Sequence, residues 1–310
     1  MSIAQRNEFV AMTVTTRQLT LQDEVDDLER RLKDAKQRLK DSSSGGTVPP
    51  PAFNPSTPLS SPHSLLLLSD SALPLGSFAY SSGLESYIAH NKPLPQGTTP
   101  TASFHNFLSL SLASIASTTL PYLLTAHRHP DQLETLDNDL DASTPCTVAR
   151  RASVAQGLAL LGVWERAFRE PYSSTDTLNG AAKTAISALS SFSELLKATP
   201  PSDPSLGAAN GHLAPLWAVV CVALDIDISH SAYIYMLNHA KAVLSAAVRA
   251  SVMGPYQAQG VLASRWLQDV IAERVRGQWG VGVEEAGQVV PAVDLWVGRH
   301  ELLYSRIFNS

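Results

Sequence analysis

The sequence predicts an all-α protein. A single helical domain of about nine or ten helices, residues 63–310, follows an amphipathic N-terminal helix (1–41) and a Ser/Pro/Gly-rich linker (42–62). Three observations carry this reading. Beyond residue 63, Ala- and Leu-rich stretches of roughly 15–25 residues alternate with short breaks holding Pro, Gly, Ser or Asp. No β-branched run shows period-2 alternation bounded by hairpin signals. The chain has 310 residues, 44% hydrophobic and 16% charged, enough to bury a sizeable core.

The first 41 residues hold eight basic and eight acidic side chains, far denser in charge than the rest. Leu21, Val25, Leu28, Leu32, Ala35 and Leu39 form an a/d seam, and acid-before-base pairs such as Asp26/Arg30 and Glu29/Lys33 recur at i,i+4. Two readings stand: a short oligomerising coiled coil, or a single helix of marginal stability. The stretch from Asp41 to Pro62 is too poor in apolar residues to offset ordering entropy.

In the domain, helices are expected over 64–72, 82–91, 101–128, 147–169, 179–198, 212–225, 229–252, 256–277 and 291–307. Turn chemistry marks breaks at Lys92–Pro100, Pro130–Pro145, Pro171–Asp176, Thr199–Gly211 and Gly277–Gly282. The stretches 130–145 and 171–178 read as loops. No fixed-period repeat occurs. With so few charges, many helix faces must carry Ala, Ser, Thr and apolar residues, either as a bland surface or as faces that partners cover.

Composition excludes several classes of function. A net charge of −5 argues against nucleic-acid binding. Cys146 and Cys221 are far apart in sequence and form neither a disulfide framework nor a cysteine-rich zinc motif. The longest uncharged run, Ser103 to Ala126, has the length of a membrane span, but His105, Asn106, Pro121 and many hydroxyls interrupt it. No targeting signal stands out, so a cytoplasmic chain is expected. There is no P-loop, no G-x-G-x-x-G and no H-E-x-x-H. Ser77, Ser81 and Ser82 lie near glycines without forming a nucleophile elbow. Ser82-Gly83-Leu84-Glu85 instead reads as a capping box, with Ser82 on the first amides and Glu85 reaching back. His127-x-His129 would point apart on a helix.

One long stretch is recognisable. Leu65-Leu66-Leu67-Leu68-Ser69-Asp70-Ser71-Ala72-Leu73-Pro74-Leu75-Gly76-Ser77-Phe78-Ala79-Tyr80-Ser81-Ser82-Gly83-Leu84-Glu85 closely resembles the N-terminal signature of the urease accessory protein UreF family. Gly211-His212-Leu213-Ala214-Pro215 is similar to the family's G-H segment, and Tyr304-Ser305-Arg306-Ile307-Phe308-Asn309-Ser310 to its Y-[SA]-R-[LI]-F-x-S ending. The resemblance spans roughly residues 64–310 and leaves 1–62 uncovered. It implies an all-α, dimer-forming scaffold with no active site of its own. Such a scaffold would bind UreD (UreH) and the nickel-carrying GTPase UreG, dock on apo-urease, promote nickel insertion and modulate the GTPase. Nickel and GTP would act through those partners, with no cofactor or metal bound directly.

Residue chemistry then nominates partner-binding positions. Pro74 and Gly76 set a bend that follows Asp70 and Ser71, with Phe78 and Tyr80 expected to anchor it and Glu85 closing the signature. On the helix from Ser229, Tyr233, Met236, Ala240, Val243 and Ala247 form an apolar face; Asn238, Lys241, Ser245 and Arg249 form a polar stripe. The segment after Arg249 departs from the family's P-L-G-Q-x-x-G-Q-like pattern, keeping Gly254 and Gln259 but placing Pro255 and Ala258 at other positions. The tail anchors Tyr304, Arg306 and Phe308 either fold back into a core or become ordered on a partner, and the resemblance implies UreD binding there. Two other classes remain as alternatives: a nickel-storage protein using His127, His129 and His212, and a helical hydrolase using Ser81 with His90.

Overall fold

Helix α1 (Ser61–Ser69) leads through a bend into α2 (Leu84–His90), and the long α3 (Pro100–Arg128) follows. The computed structural model describes residues 61–173, 179–198 and 209–309, which belong to one compact unit, Thr57–Ser310. The expected N-terminal helix and nearly all of the linker lie outside the described residues. Then come α4 (Leu133–Ser143), α5 (Thr147–Val163), a π turn at Trp164–Phe168, α6 (Arg169–Ser173) and α7 (Gly180–Ala198). The chain closes with α8 (Leu213–Ala223), α9 (Ile228–Arg249), α10 (Pro255–Leu262), α11 (Arg265–Gln278) and α12 (Pro291–Arg299). The described residues contain no strand.

α8 is the hub. Ten of its eleven residues, Ala214 to Ala223, are buried, so no face of it is polar. It packs against α3, α5, α7 and α9. Trp217 sits inside this layer and satisfies its indole by donating to the Ser231 carbonyl at 3.2 Å. α3 starts at Thr99, whose side chain accepts from Ala102 N at 3.1 Å, with Pro100 in the first turn. Its most apolar window is long enough to cross a membrane, yet 72% of that window is buried among other helices. Phe104, Phe107, Leu108, Leu112, Leu120, Leu123 and Leu124 all face the core.

Pro121 lies inside α3, and the reason it is tolerated is visible. Proline has no N–H to give the Ser117 carbonyl one turn back. That carbonyl accepts instead from Gly287 N at 3.1 Å, which fastens the loop before α12 onto α3.

The stretch Pro130–Pro145 is not a loop. It holds a 3₁₀ turn at Pro130–Gln132 and α4, whose Leu133, Leu136 and Leu140 are buried at i, i+3 and i+7. Asp and Asn between these leucines mask the stripe in composition. One of them is essential to the packing. Asp137 is fully buried and accepts from Asn210 N at 2.6 Å, from Gly211 N at 3.0 Å and from His212 N at 2.6 Å, an anion placed at the N-terminus of α8. Gly211 has φ +91°, and Gly157 of α5 crosses so close that a Cβ there would sit 2.1 Å from the Gly211 carbonyl. The Gly-His pair is thus a packing device: Gly211 gives the backbone angle, and buried His212 bonds Ser153 Oγ (3.0 Å) and Asp141 Oδ1 (3.2 Å).

Two further boundaries differ from expectation. The stretch 256–277 is split into α10 and α11 by Ala263 and Ser264, because Ser264 caps α11 by accepting from Leu267 N at 3.2 Å. The last helix ends at Arg299, and a 3₁₀ turn, His300–Leu302, leads into an extended tail.

Replacing Asp137 by Ala strands three N–H groups, two of them buried. Denaturant unfolding of Asp137→Ala is expected to show a loss of about 3 kcal/mol, and Asp137→Asn a smaller one.

Candidate functional site

The signature bend and the chain end meet. After α1, Asp70 Oδ1 accepts from Ala72 N at 2.9 Å, an Asx turn that starts the bend, and Gly76 at φ +69° completes it. Leu75 is buried and anchors the bend. Phe78 does not, contrary to expectation: its ring is 68% exposed, and Tyr80 is half-buried. Phe78 is held by its backbone, because the Arg249 guanidinium donates to its carbonyl oxygen. The polar stripe of α9 is therefore not merely a solvated face, although Ser245 and Arg249 keep exposed side chains. Asn238 donates to the Leu68 carbonyl at 2.9 Å and Lys241 to the Ser69 carbonyl, so the stripe grips the C-terminal end of α1 and the bend in turn. Burial lowers the Lys241 pKa and nearby Asp70 opposes the shift.

Glu85 is the centre of the site, and it does not form a capping box. The N-cap of α2 is Gly83, at φ +84°, and Ser82 sits at φ +53°. Ser81, fully buried, accepts from Glu85 N at 3.4 Å. The Glu85 carboxylate turns away from its own helix. Oε1 accepts from Ile307 N at 2.7 Å; Oε2 accepts from Phe308 N at 3.2 Å and from fully buried His300 Nε2 at 2.7 Å. Gly83 permits this: a Cβ there would meet Val297 of α12 at 3.0 Å, so only glycine lets α12 approach. Asn309 N donates to the Ala79 carbonyl at 2.8 Å, and the Arg249 guanidinium lies 4.4 Å from the centroid of the Phe308 ring.

The structure thus joins Phe78, Glu85, Arg249 and Phe308, four of the nominated residues. Phe308 is 5% exposed and folds back into the core. Tyr304 is fully exposed and Arg306 points to solvent, as do Leu302 and Ile307. Pro74 is exposed at the bend. Gly254 instead begins α10, its N–H donating to Gln257 Oε1 at 3.0 Å, and Gln259 is exposed; neither is hydrogen-bonded to the Glu85 cluster. His300 was missed by sequence reasoning, since a lone histidine at the end of an amphipathic helix carries no pattern.

The residues of the alternative readings lie elsewhere. His127 Nε2 bonds the Ile226 carbonyl at 2.9 Å, and His212 is committed to Ser153 and Asp141. Among the described residues no group of three His, Cys, Asp or Glu is arranged for a metal ion. His90 Nδ1 bonds Ser86 of its own helix at 2.7 Å rather than Ser81.

Beneath the bend lies a cavity of about 430 Å³ bounded by α1, α3, α5, α9 and α12. His239, half-buried, lines this space; its ring bonds Ser111 Oγ at 2.8 Å. Burial pushes its pKa down to about 4.

The model of the UreF family matches residues 99–265. An uncharacterized urease accessory protein UreF-like from Schizosaccharomyces pombe is 35% identical over 248 residues, covering 80% of this chain and 97% of its own. Urease accessory protein F of Arabidopsis thaliana is 32% identical over 249 residues, 78% of this chain and 90% of its own. Urease accessory protein UreF of Actinobacillus pleuropneumoniae is 24% identical over 252 residues, 79% of this chain and 97% of its own.

Two outcomes follow. Phe308→Ala should cost about 3 kcal/mol in unfolding experiments, the usual loss for a buried phenylalanine, whereas Tyr304→Ala should change stability by less than about 0.5 kcal/mol. His239 has a folded pKa below its unfolded one, so the folded state binds fewer protons than the unfolded state. Its contribution to stability is complete above about pH 6.5 and is lost as pH falls towards about 4. Replacing it by Gln should flatten the stability–pH curve across that window by up to about 3 kcal/mol.

Proposed function

Since the chain belongs to the UreF family of urease accessory proteins, we propose that it is a non-catalytic scaffold that bridges a UreD-like protein and the GTPase UreG and promotes nickel insertion into apo-urease. The observation that carries this reading is the tail. Its backbone is fastened by Glu85 and its Phe308 is buried, while Leu302, Tyr304 and Ile307 stand exposed, as does the Phe78 ring of the bend. A chain end held in place by its backbone and presenting aromatic and aliphatic side chains has lost its ordering entropy before any partner arrives. Buried aromatic anchors of this kind dominate protein–protein affinity. The UreD-like protein is the partner assigned to this surface.

UreG and the urease would occupy other helix faces, which the sparse charge of the domain leaves available. GTP and nickel belong to the partners, and the chain acts as a homodimer in the cytoplasm, modulating the GTPase by where it holds it.

Reconstitution tests this. Apo-urease with nickel, GTP, UreD-like and UreG-like proteins should gain activity on adding this chain. The double variant Tyr304→Ala/Ile307→Ala should fold with unchanged melting temperature, lose co-purification with the UreD-like protein, and reduce activation by about tenfold or more. Full activation by that variant would refute the tail assignment, and equal activation without the chain would refute the scaffold role.

A further inference from the structure

The cavity beneath the bend has a chemistry that the scaffold role does not use. At about 430 Å³ and mainly apolar in lining, it has the size and character of a site for a small organic molecule. One corner is polar. Ser111, Ser114 and Thr118 succeed one another at i, i+3 and i+7 on one face of α3. Asp294 of α12 joins them through Gln288, whose Nε2 donates to Ser114 Oγ and to Asp294 Oδ1, both at 2.8 Å. The corner is built on the Pro121 device, because the carbonyl freed by that proline holds Gly287, the neighbour of Gln288.

Two threonine hydroxyls of this lining are left as acceptors. Thr118 gives its hydroxyl proton to the Ser114 carbonyl at 2.8 Å, and Thr144 gives its own to the Leu140 carbonyl at 2.7 Å. Each oxygen is left with lone pairs to offer and no proton. The Asp294 carboxylate is half-buried, and among the described residues it forms no ion pair. Burial pushes its pKa up, the Gln288 bond opposing. Lys241 also faces the cavity, but its ammonium is spent on the end of α1. A carboxylate enclosed without a cation is a cost that a cationic ligand would remove.

We infer that this cavity is a binding site for a small protonated amine with an apolar body, its ammonium seated on Asp294 and the hydroxyls of α3. The apolar walls, with small side chains at Ala149, Ala152 and Ala242, receive the body.

The probe is 2-phenylethylamine, titrated calorimetrically into the full chain, with 2-phenylethanol and 3-phenylpropanoate as comparators of similar shape. The amine should bind about tenfold or more tighter than the alcohol, and the carboxylate weakest. Asp294→Asn keeps the Gln288 bond but removes the charge, so it should weaken the amine about tenfold and leave the alcohol unchanged. Ala242→Phe fills the space and should abolish binding of all three. If Asp294→Asn fails to fold by circular dichroism, Thr118→Val carries the test, weakening the amine several-fold more than the alcohol. Equal affinity for the three probes, no binding of any at about 10 mM, or an amine affinity untouched by the charge-removing or hydroxyl-removing change overturns the inference.

Discussion

One carboxylate ties the two ends of the domain together. Glu85, fifteen residues after the Asp70 turn that starts the bend, holds the backbone of Ile307 and Phe308 and the ring of His300. Charge-assisted bonds to backbone amides are among the stronger polar interactions in a protein. Here they act where chain ends ordinarily fray. Everything exposed on the tail is displayed because of what Glu85 and Phe308 hold. Arg249 adds the third side of this arrangement, donating to the Phe78 carbonyl while covering the Phe308 ring. Bend, α9 and tail are one cluster.

The same logic recurs deeper in the molecule. Buried polar groups are used to position segments that lack regular structure. Asp137 gathers the amides that open α8, and the Ser117 carbonyl freed by Pro121 gathers the loop before α12. Such groups are costly to bury unless bonded, and Asp137 and the Ser117 carbonyl both have their partners. The helices supply the core, and a few polar anchors decide how the connections run over it.

Much of this was legible in the sequence. The helical period and the Pro/Gly punctuation marked most of the elements, because apolar spacing reports directly on which face is buried. The nominated residues Phe78, Glu85, Arg249 and Phe308 do meet in space. Their roles were less legible. Ser-Gly-Leu-Glu has the form of a capping box, but the Glu85 carboxylate finds stronger donors some 220 residues away, and no local pattern carries that information. Phe78 looked like an anchor because aromatic rings usually bury; the short side chain of Leu75 fits beneath the bend instead. α4 was hidden because Asp and Asn break its apolar stripe, and Asp137 is placed there for α8 rather than for its own helix. Gly254 and Gln259 matched a family pattern in sequence without joining the cluster.

The central claim is that Glu85 holds the tail on the body of the domain. Hydrogen–deuterium exchange on the full chain tests it most directly. In the native protein the amides of Ile307, Phe308 and Asn309 should exchange slowly; in Glu85→Ala they should exchange at the rate of an unfolded peptide while α8 and α9 keep their protection. Protection of those three amides that survives the substitution would contradict the account.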